Sequence, residues 1–288
     1  QSFQELARGF GQDEGLPFAS LIPRDLLQRT IGDDTGEIYT PAVTLGMFLS
    51  QVLSADGSCA DAAARLLAWR AEARLPACSA NTGAFCKARQ KLDEQQLATL
   101  VRDTGNQLHD KARPEWLWKD RAVTLVDGTT LTAADTPENQ AEYPQPDSQK
   151  PGLGFPMIRA VALISLAVGT VRDCATAAYS GKGTGEVSLL RQLIGSLETG
   201  ALLVGDAIYC TYAEIAMMAE RNVDFVLPKH NERQADFRRG TRLGRRDHII
   251  TWTKPPKRPA RLSTAEWSAI PDTITLREVE VRLHRRGF

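Results

Sequence analysis

The spacing of apolar residues in this chain changes once, near Trp118, and that change limits what the chain can fold into. Before it, apolar residues recur at the interval of one helix face. After it, they gather in short runs bounded by glycine-rich turns, as buried strands do. In the first part, Thr40 and Pro41 open a segment whose Leu45, Phe48, Leu49, Val52 and Leu53 fall at helical spacing, a hydroxyl cap followed by proline. Ser58 opens a second, with Ala62, Leu66 and Trp69 on one face. A third runs from Ser79 through Phe85 to Leu92, and a fourth from Asp93 carries Leu97, Leu100, Val101 and Leu108. Residues 1–117 are therefore expected to form a helical N-terminal domain, either a packing bundle with a solvated basic face or a DNA-binding head. Lys87, Arg89 and Lys91 supply the basic face, and as helix-end cations they equally complement a helix dipole.

Residues 118–228 read as a mixed α/β sheet with helices on its faces. RAVTLVD (121–127) is an apolar run closed by an acid, the mark of a strand that delivers a side chain to a sheet edge. The Pro-, Gln- and Asp-rich stretch 138–151 reads as a surface loop. Runs 158–168 and 171–178, joined at Gly169 and Thr170, read as a hairpin. SGKGTGE (180–186) leads into a helix with Val187, Leu189, Leu190, Leu193, Ile194 and Leu197. A strand ALLVGD (201–206), a helix over 212–221 and a strand VDFVL (223–227) follow.

The composition shifts again over 229–288. Residues 229–261 hold eleven Lys and Arg against three Asp and Glu, with Phe237 and Trp252 among them. That density suits a surface that tracks phosphates. The tail ITLREVEVRL alternates apolar and charged residues as a half-exposed strand does, which makes Glu278 and Glu280 surface residues of one strand face.

Several classes are disfavoured. At 42% hydrophobic and 24% charged residues the chain is globular in type, and it has no apolar run of the length that spans a membrane. The start, QSFQELARGF, has no signal-peptide character and no Met, so the numbering is expected to begin inside a longer chain. Five scattered cysteines without a CxxC pair favour reduced thiols in a cytoplasm. His109, His230, His248 and His284 form no HExxH spacing, and Ser180 and Ser188 stand in no GxSxG elbow. SGKGTGE lacks the Gly-Lys-Ser/Thr of a phosphate loop, so Glu186 reads as an acid favoured by a helix dipole, with no ligand needed. The net charge is zero, so binding to nucleic acid has to come from local charge.

The chemistry is sought in two acids. Asp127 and Asp206 close apolar runs 79 residues apart. If those strands are neighbours, both carboxylates enter one crevice at the sheet edge, where open α/β sheets place ligands. Paired hard oxygen donors suit Mg²⁺, and a pair of such ions supports in-line displacement at phosphorus. Each acid taken alone is equally a strand-end turn residue.

The strings around these acids narrow the choice. GAFCKARQKL, VDGTTL, GKGTGE, GDAIYCTY, LPKH, DFRRGTRLGRRDH and ITWTKP stand in an order that resembles the IS4 family of bacterial insertion-sequence transposases, over roughly residues 20–288. The resemblance implies an RNase H-like catalytic core whose Asp, Asp, Glu triad binds two Mg²⁺ or Mn²⁺ ions, with Asp127 matching the first Asp and Asp206 the second. It implies nicking by an activated water, attack of the freed 3′ hydroxyl on the other strand and later on target DNA, and no covalent protein intermediate. The partners implied are double-stranded DNA, at terminal inverted repeats and at the target, and a second copy as a homodimer on DNA in the bacterial cytoplasm and nucleoid. Tyr209 and Tyr212 are expected to pack beside the site or touch DNA. The family's third acid lies in a Tyr, Arg, Glu, Lys motif beyond a β-rich insertion. Since 229–288 looks like that insertion, the chain is expected to stop before the Glu. Ile208 departs from the Gly that many relatives carry there. DNA contacts are expected from Lys229, Arg233, Arg238, Arg239, Arg242, Arg245 and Arg246, and from Lys87, Arg89 and Lys91. Two other readings stand beside this one: a DNA-binding regulator without catalysis, and a metal-dependent nuclease outside transposition.

Overall fold

A computed structural model describes residues 22, 24–32, 38–230 and 233–282. The N-terminal decapeptide, His284 and the last residues of the tail lie outside them. The chain divides into two compact units, Gln1–Lys111 and Ala112–Phe288.

The first unit is helical: α1 (Arg24–Ile31), α2 (Pro41–Val52), α3 (Cys59–Glu72), α4 (Thr82–Arg89) and α5 (Glu94–His109). Four of these starts are set by side-chain caps. The oxygens of Thr40, Ser58, Asn81 and Asp93 accept hydrogen bonds from the backbone N–H of Val43, Asp61, Gly83 and Gln96. Each cap contributes about 1 kcal/mol. Helix α4 is shorter than the sequence suggests, because Asn81 caps it two residues after Ser79. Met47, Ala62, Leu66 and Phe85 form one buried cluster, and Leu26, Leu27, Ile31, Leu45 and Leu100 a second.

The second unit holds a five-stranded mixed sheet in the order β3-β2-β1-β4-β5, made of β1 (Val123–Thr132), β2 (Met157–Ser165), β3 (Val171–Ala178), β4 (Leu202–Val204) and β5 (Asp224–Val226). The first three strands are antiparallel neighbours, whereas β4 runs parallel to β1 and β5 parallel to β4. The hairpin joint between β2 and β3 turns at Gly169, whose φ of +68° is open to glycine at little cost. Two corrections to the sequence reading arise here. β1 does not end at Asp127 but continues to Thr132, paired throughout with β2. The stretch read as loop contains a short helix, α6 (Pro137–Glu142), capped by Thr136 with proline at its first turn.

Helix α7 (Glu186–Leu193) connects β3 to β4, and α8 (Tyr212–Glu220) connects β4 to β5. Leu189, Leu190 and Leu193 of α7 are buried with Val161, Leu163 and Leu203 of the sheet and Ile215 and Met218 of α8. Burying one such leucine contributes about 1.5–3 kcal/mol.

The basic region folds as a three-stranded antiparallel sheet, β6 (Thr241–Gly244), β7 (Asp247–Thr253) and β8 (Thr273–Val279), with α9 (Thr264–Ala269) between the last two. Trp252, Ile274, Leu262 and Ile270 join the same core as the large sheet. Glu278 corrects another expectation, since it is not a surface residue. It lies opposite His248 in the register, its side chain is 12% exposed, and it accepts hydrogen bonds from Trp252 Nε1 (2.8 Å) and His248 Nε2 (3.1 Å). Glu280 is half-buried and paired with Arg246 and Arg282. The other nitrogen of His248 lies 2.7 Å from the Arg239 carbonyl, so both ring nitrogens face acceptor oxygens, an arrangement that favours the protonated ring.

Burial opposes that charge, but the Glu278 and Arg239 hydrogen bonds outweigh it and lift the His248 pKa above its ordinary value. The stabilisation is therefore complete below the unfolded value of about 6.5 and is lost as pH rises through the raised folded value. Thermal melts at increasing pH should show wild type losing stability relative to His248→Gln above that point. Parallel curves would contradict the charged pair.

Candidate active site

The parallel pairing of β1 with β4 ends at Leu125 opposite Val204. Asp127 and Asp206 each lie two residues beyond that last pair, where β4 ends and β1 runs on. Asp127 stays within β1, held by β2 through its partner Ala162. Asp206 leaves the sheet and caps a short 3₁₀ turn, Ala207–Tyr209. Both residues are solvent-exposed. In each, Oδ1 is anchored by a backbone N–H at 2.9 Å, from Gly128 for Asp127 and from Ile208 for Asp206. Among the described residues neither carboxylate forms an ion pair, and neither Oδ2 has a hydrogen-bond partner. The untethered oxygens of these two carboxylates are the hard donors that Mg²⁺ and Mn²⁺ take.

Gly205 permits this approach. A Cβ there would lie 2.6 Å from Val126 Cγ1 and 3.1 Å from Tyr209 Cδ2. The Tyr209 ring fills the space behind the turn and is fully buried. Its hydroxyl donates to Glu186 Oε2 at 3.3 Å. Burial, then the neighbouring Glu186, Asp206 and Asp127 carboxylates, push its pKa far above the ordinary tyrosine range. Tyr209 is thus a packed hydroxyl donor with no nucleophilic phenolate near neutral pH. Tyr212 is buried as well and donates to the Pro271 carbonyl at 3.0 Å.

Sequence reasoning missed Glu186. A Cβ on Gly128 would lie 2.5 Å from Glu186 Cδ and 2.6 Å from its Oε2, so this carboxylate rests on the backbone next to Asp127. The available signal was a glycine directly after a strand aspartate, a place where another group can approach the backbone closely. Among the described residues, no three His, Cys, Asp or Glu are grouped closely enough to hold a metal ion.

The expected DNA-contacting residues are distributed unevenly. Arg238 and Arg239 pair with Asp236, and the Arg238 hydrogen bonds hold that carboxyl at about 2. Arg246 pairs with Glu280, Arg242 donates to the Gly244 carbonyl, and the Arg233 guanidinium lies 3.9 Å from the centre of the Trp252 ring. Arg245 is exposed and Lys229 half-buried. In the helical unit Lys87 and Lys91 are exposed, whereas Arg89 donates to Gln51 Oε1 at 2.9 Å and packs over Phe48 and Phe85.

Comparison with known proteins matches residues 118–287 to the family described as Transposase DDE domain. The chain belongs to the transposase DDE domain family. The DDE match begins just before β1 and takes in both aspartates and the whole of the three-stranded sheet. Over 201 residues the chain is 24% identical to the transposase InsG for insertion sequence element IS4 from Escherichia coli (strain K12), which covers 69% of this chain and 43% of that protein. The chain therefore spans less than half the length of that relative. Among the described residues no helix is long and apolar enough to cross a membrane.

Proposed function

We propose that Asp127 and Asp206 are the first two carboxylates of a DDE centre on an RNase H-like sheet, in a protein that cuts and joins DNA at the ends of its element. One observation carries the reading: the two acids each follow the last β1–β4 pair by two residues, each with one oxygen tethered and the other free. Their donor chemistry fits Mg²⁺ or Mn²⁺, which when bound would act as a Lewis acid at a phosphodiester. The chain's own part is to orient those oxygens through the Gly128 and Ile208 amides and to back the site with the buried Tyr209 ring. Glu278 is excluded as a further metal-holding acid, since its two oxygens are committed to Trp252 and His248. We assign phosphate contacts to Lys229, Arg233, Arg238, Arg239, Arg242, Arg245 and Arg246, with Lys87, Arg89 and Lys91 on the helical unit. Of these, Arg245, Lys87 and Lys91 keep exposed charges with no ion-pair partner among the described residues, and Arg89 has the weakest claim because its packing role is already evident. A homodimer on DNA in the bacterial nucleoid completes the reading.

In a second reading this chain occupies transposon ends without cutting them, through the exposed cations Arg245, Lys87 and Lys91. The test is Mn²⁺-dependent cleavage and strand transfer on DNA bearing the element's inverted repeats, for this chain and for Asp206→Ala. Cutting that disappears in the variant supports the transposase centre. Binding without cutting in both supports the regulatory reading.

A further inference from the structure

We infer that Glu186 is a positioning residue that fixes the Asp127–Asp206 pair by bridging the two backbone segments which carry it. The inference rests on the reading of that pair as a divalent-cation site. Glu186 is the first residue of α7, delivered by a turn with positive φ at Gly181 and Gly183. Its carboxylate makes two contacts that matter. On one side it lies against Gly128, where only the missing Cβ leaves room for it, one residue from Asp127. On the other it accepts the hydroxyl hydrogen of Tyr209, the last residue of the 3₁₀ turn that Asp206 caps. The Tyr209 ring in turn lies against the place where a Gly205 side chain would be, immediately before Asp206. One carboxylate thereby packs against β1 just after the first aspartate and is hydrogen-bonded to the turn just after the second. No described Lys, Arg or His forms an ion pair with Glu186, and no described residue other than Tyr209 is hydrogen-bonded to its side chain. Its strongest visible function is therefore as an acceptor for Tyr209. Groups that orient metal-holding side chains from behind typically change metal affinity by about 10–100-fold when removed.

The test is a Mn²⁺ titration of the whole chain followed by electron paramagnetic resonance, with circular dichroism confirming that each variant is folded. Glu186→Ala should weaken Mn²⁺ binding by about 10–100-fold. Glu186→Gln keeps both the volume over Gly128 and an acceptor oxygen for Tyr209, so it should bind close to wild type. Tyr209→Phe removes only the hydroxyl and should weaken binding in the same direction as Glu186→Ala, which keeps the test decisive if the alanine variant fails to fold. Equal loss in Glu186→Gln and Glu186→Ala would overturn the inference, because Glu186 would then act through its charge. Wild-type affinity in both Glu186→Ala and Tyr209→Phe would also overturn it. Asp206→Asn separates this failure from that of the underlying reading: if it leaves Mn²⁺ binding unchanged, the aspartate pair is not the cation site.

Discussion

Glu214→Ala is expected to destabilise the second unit by about 3–5 kcal/mol, the usual cost of removing one partner from a buried ion pair. Glu214 lies in the first turn of α8 and its side chain is completely buried. It accepts from Arg191 Nη2 at 2.6 Å, from Arg261 Nη2 at 3.3 Å and from the Thr211 hydroxyl. Truncation would leave the Arg191 guanidinium, 15% exposed, as a buried charge without its carboxylate, in a core that also buries Leu190, Leu193 and Ile215. Arg261 is 31% exposed and partly hydrated, so it contributes the smaller share. The loss would be read from the denaturation midpoint in urea. A change below about 1 kcal/mol would mean that water replaces Glu214 around Arg191.

Gly205→Ala is the second large effect. The new methyl would lie 2.6 Å from Val126 Cγ1, with Tyr209 Cδ2 at 3.1 Å and Leu227 Cδ2 at 3.3 Å. Val126 and Tyr209 are both buried, so little can yield, and overpacking of this kind costs about 1–3 kcal/mol. The strain would be relieved by moving the chain after β4 away from β1, and that movement carries Asp206 with it. The variant should therefore lose Mn²⁺ binding out of proportion to its loss of stability, as measured by parallel melts and titrations. Wild-type Mn²⁺ affinity would show that the close approach at Gly205 does not set the aspartate spacing.

The elements that set this geometry were legible to different degrees. VTLV and ALLV read as strands because a buried parallel strand is a short continuous apolar run, and the helix starts at Thr40, Ser58 and Asp93 were legible because a single side-chain oxygen sets each of them. The extension of β1 through Gly128–Thr132 was invisible, since its Thr-rich sequence has no apolar period and its order comes from backbone pairing with β2. Helix α6 was hidden by its Pro, Glu and Gln content, although Thr136–Pro137 repeats the cap-and-proline signal read correctly at Thr40–Pro41. Glu278 misled for another reason. Alternation says which residues share a face but not which face is covered, and the covered face here carries Trp252, Ile274 and a charged pair. Gly128 after a strand aspartate signals room for some group, but nothing in the sequence says that the group is Glu186, because the link passes through the Gly128 backbone and a tyrosine on another segment.

The proposed pairing of Asp127 and Asp206 in one divalent-cation site is tested most directly by Mn²⁺ binding to the whole chain, followed by electron paramagnetic resonance, for wild type, Asp127→Asn, Asp206→Asn and the double variant. The two single variants should each abolish the same binding event, and the double variant should lose nothing more. Two independent partial losses, or wild-type binding in either single variant, would contradict it.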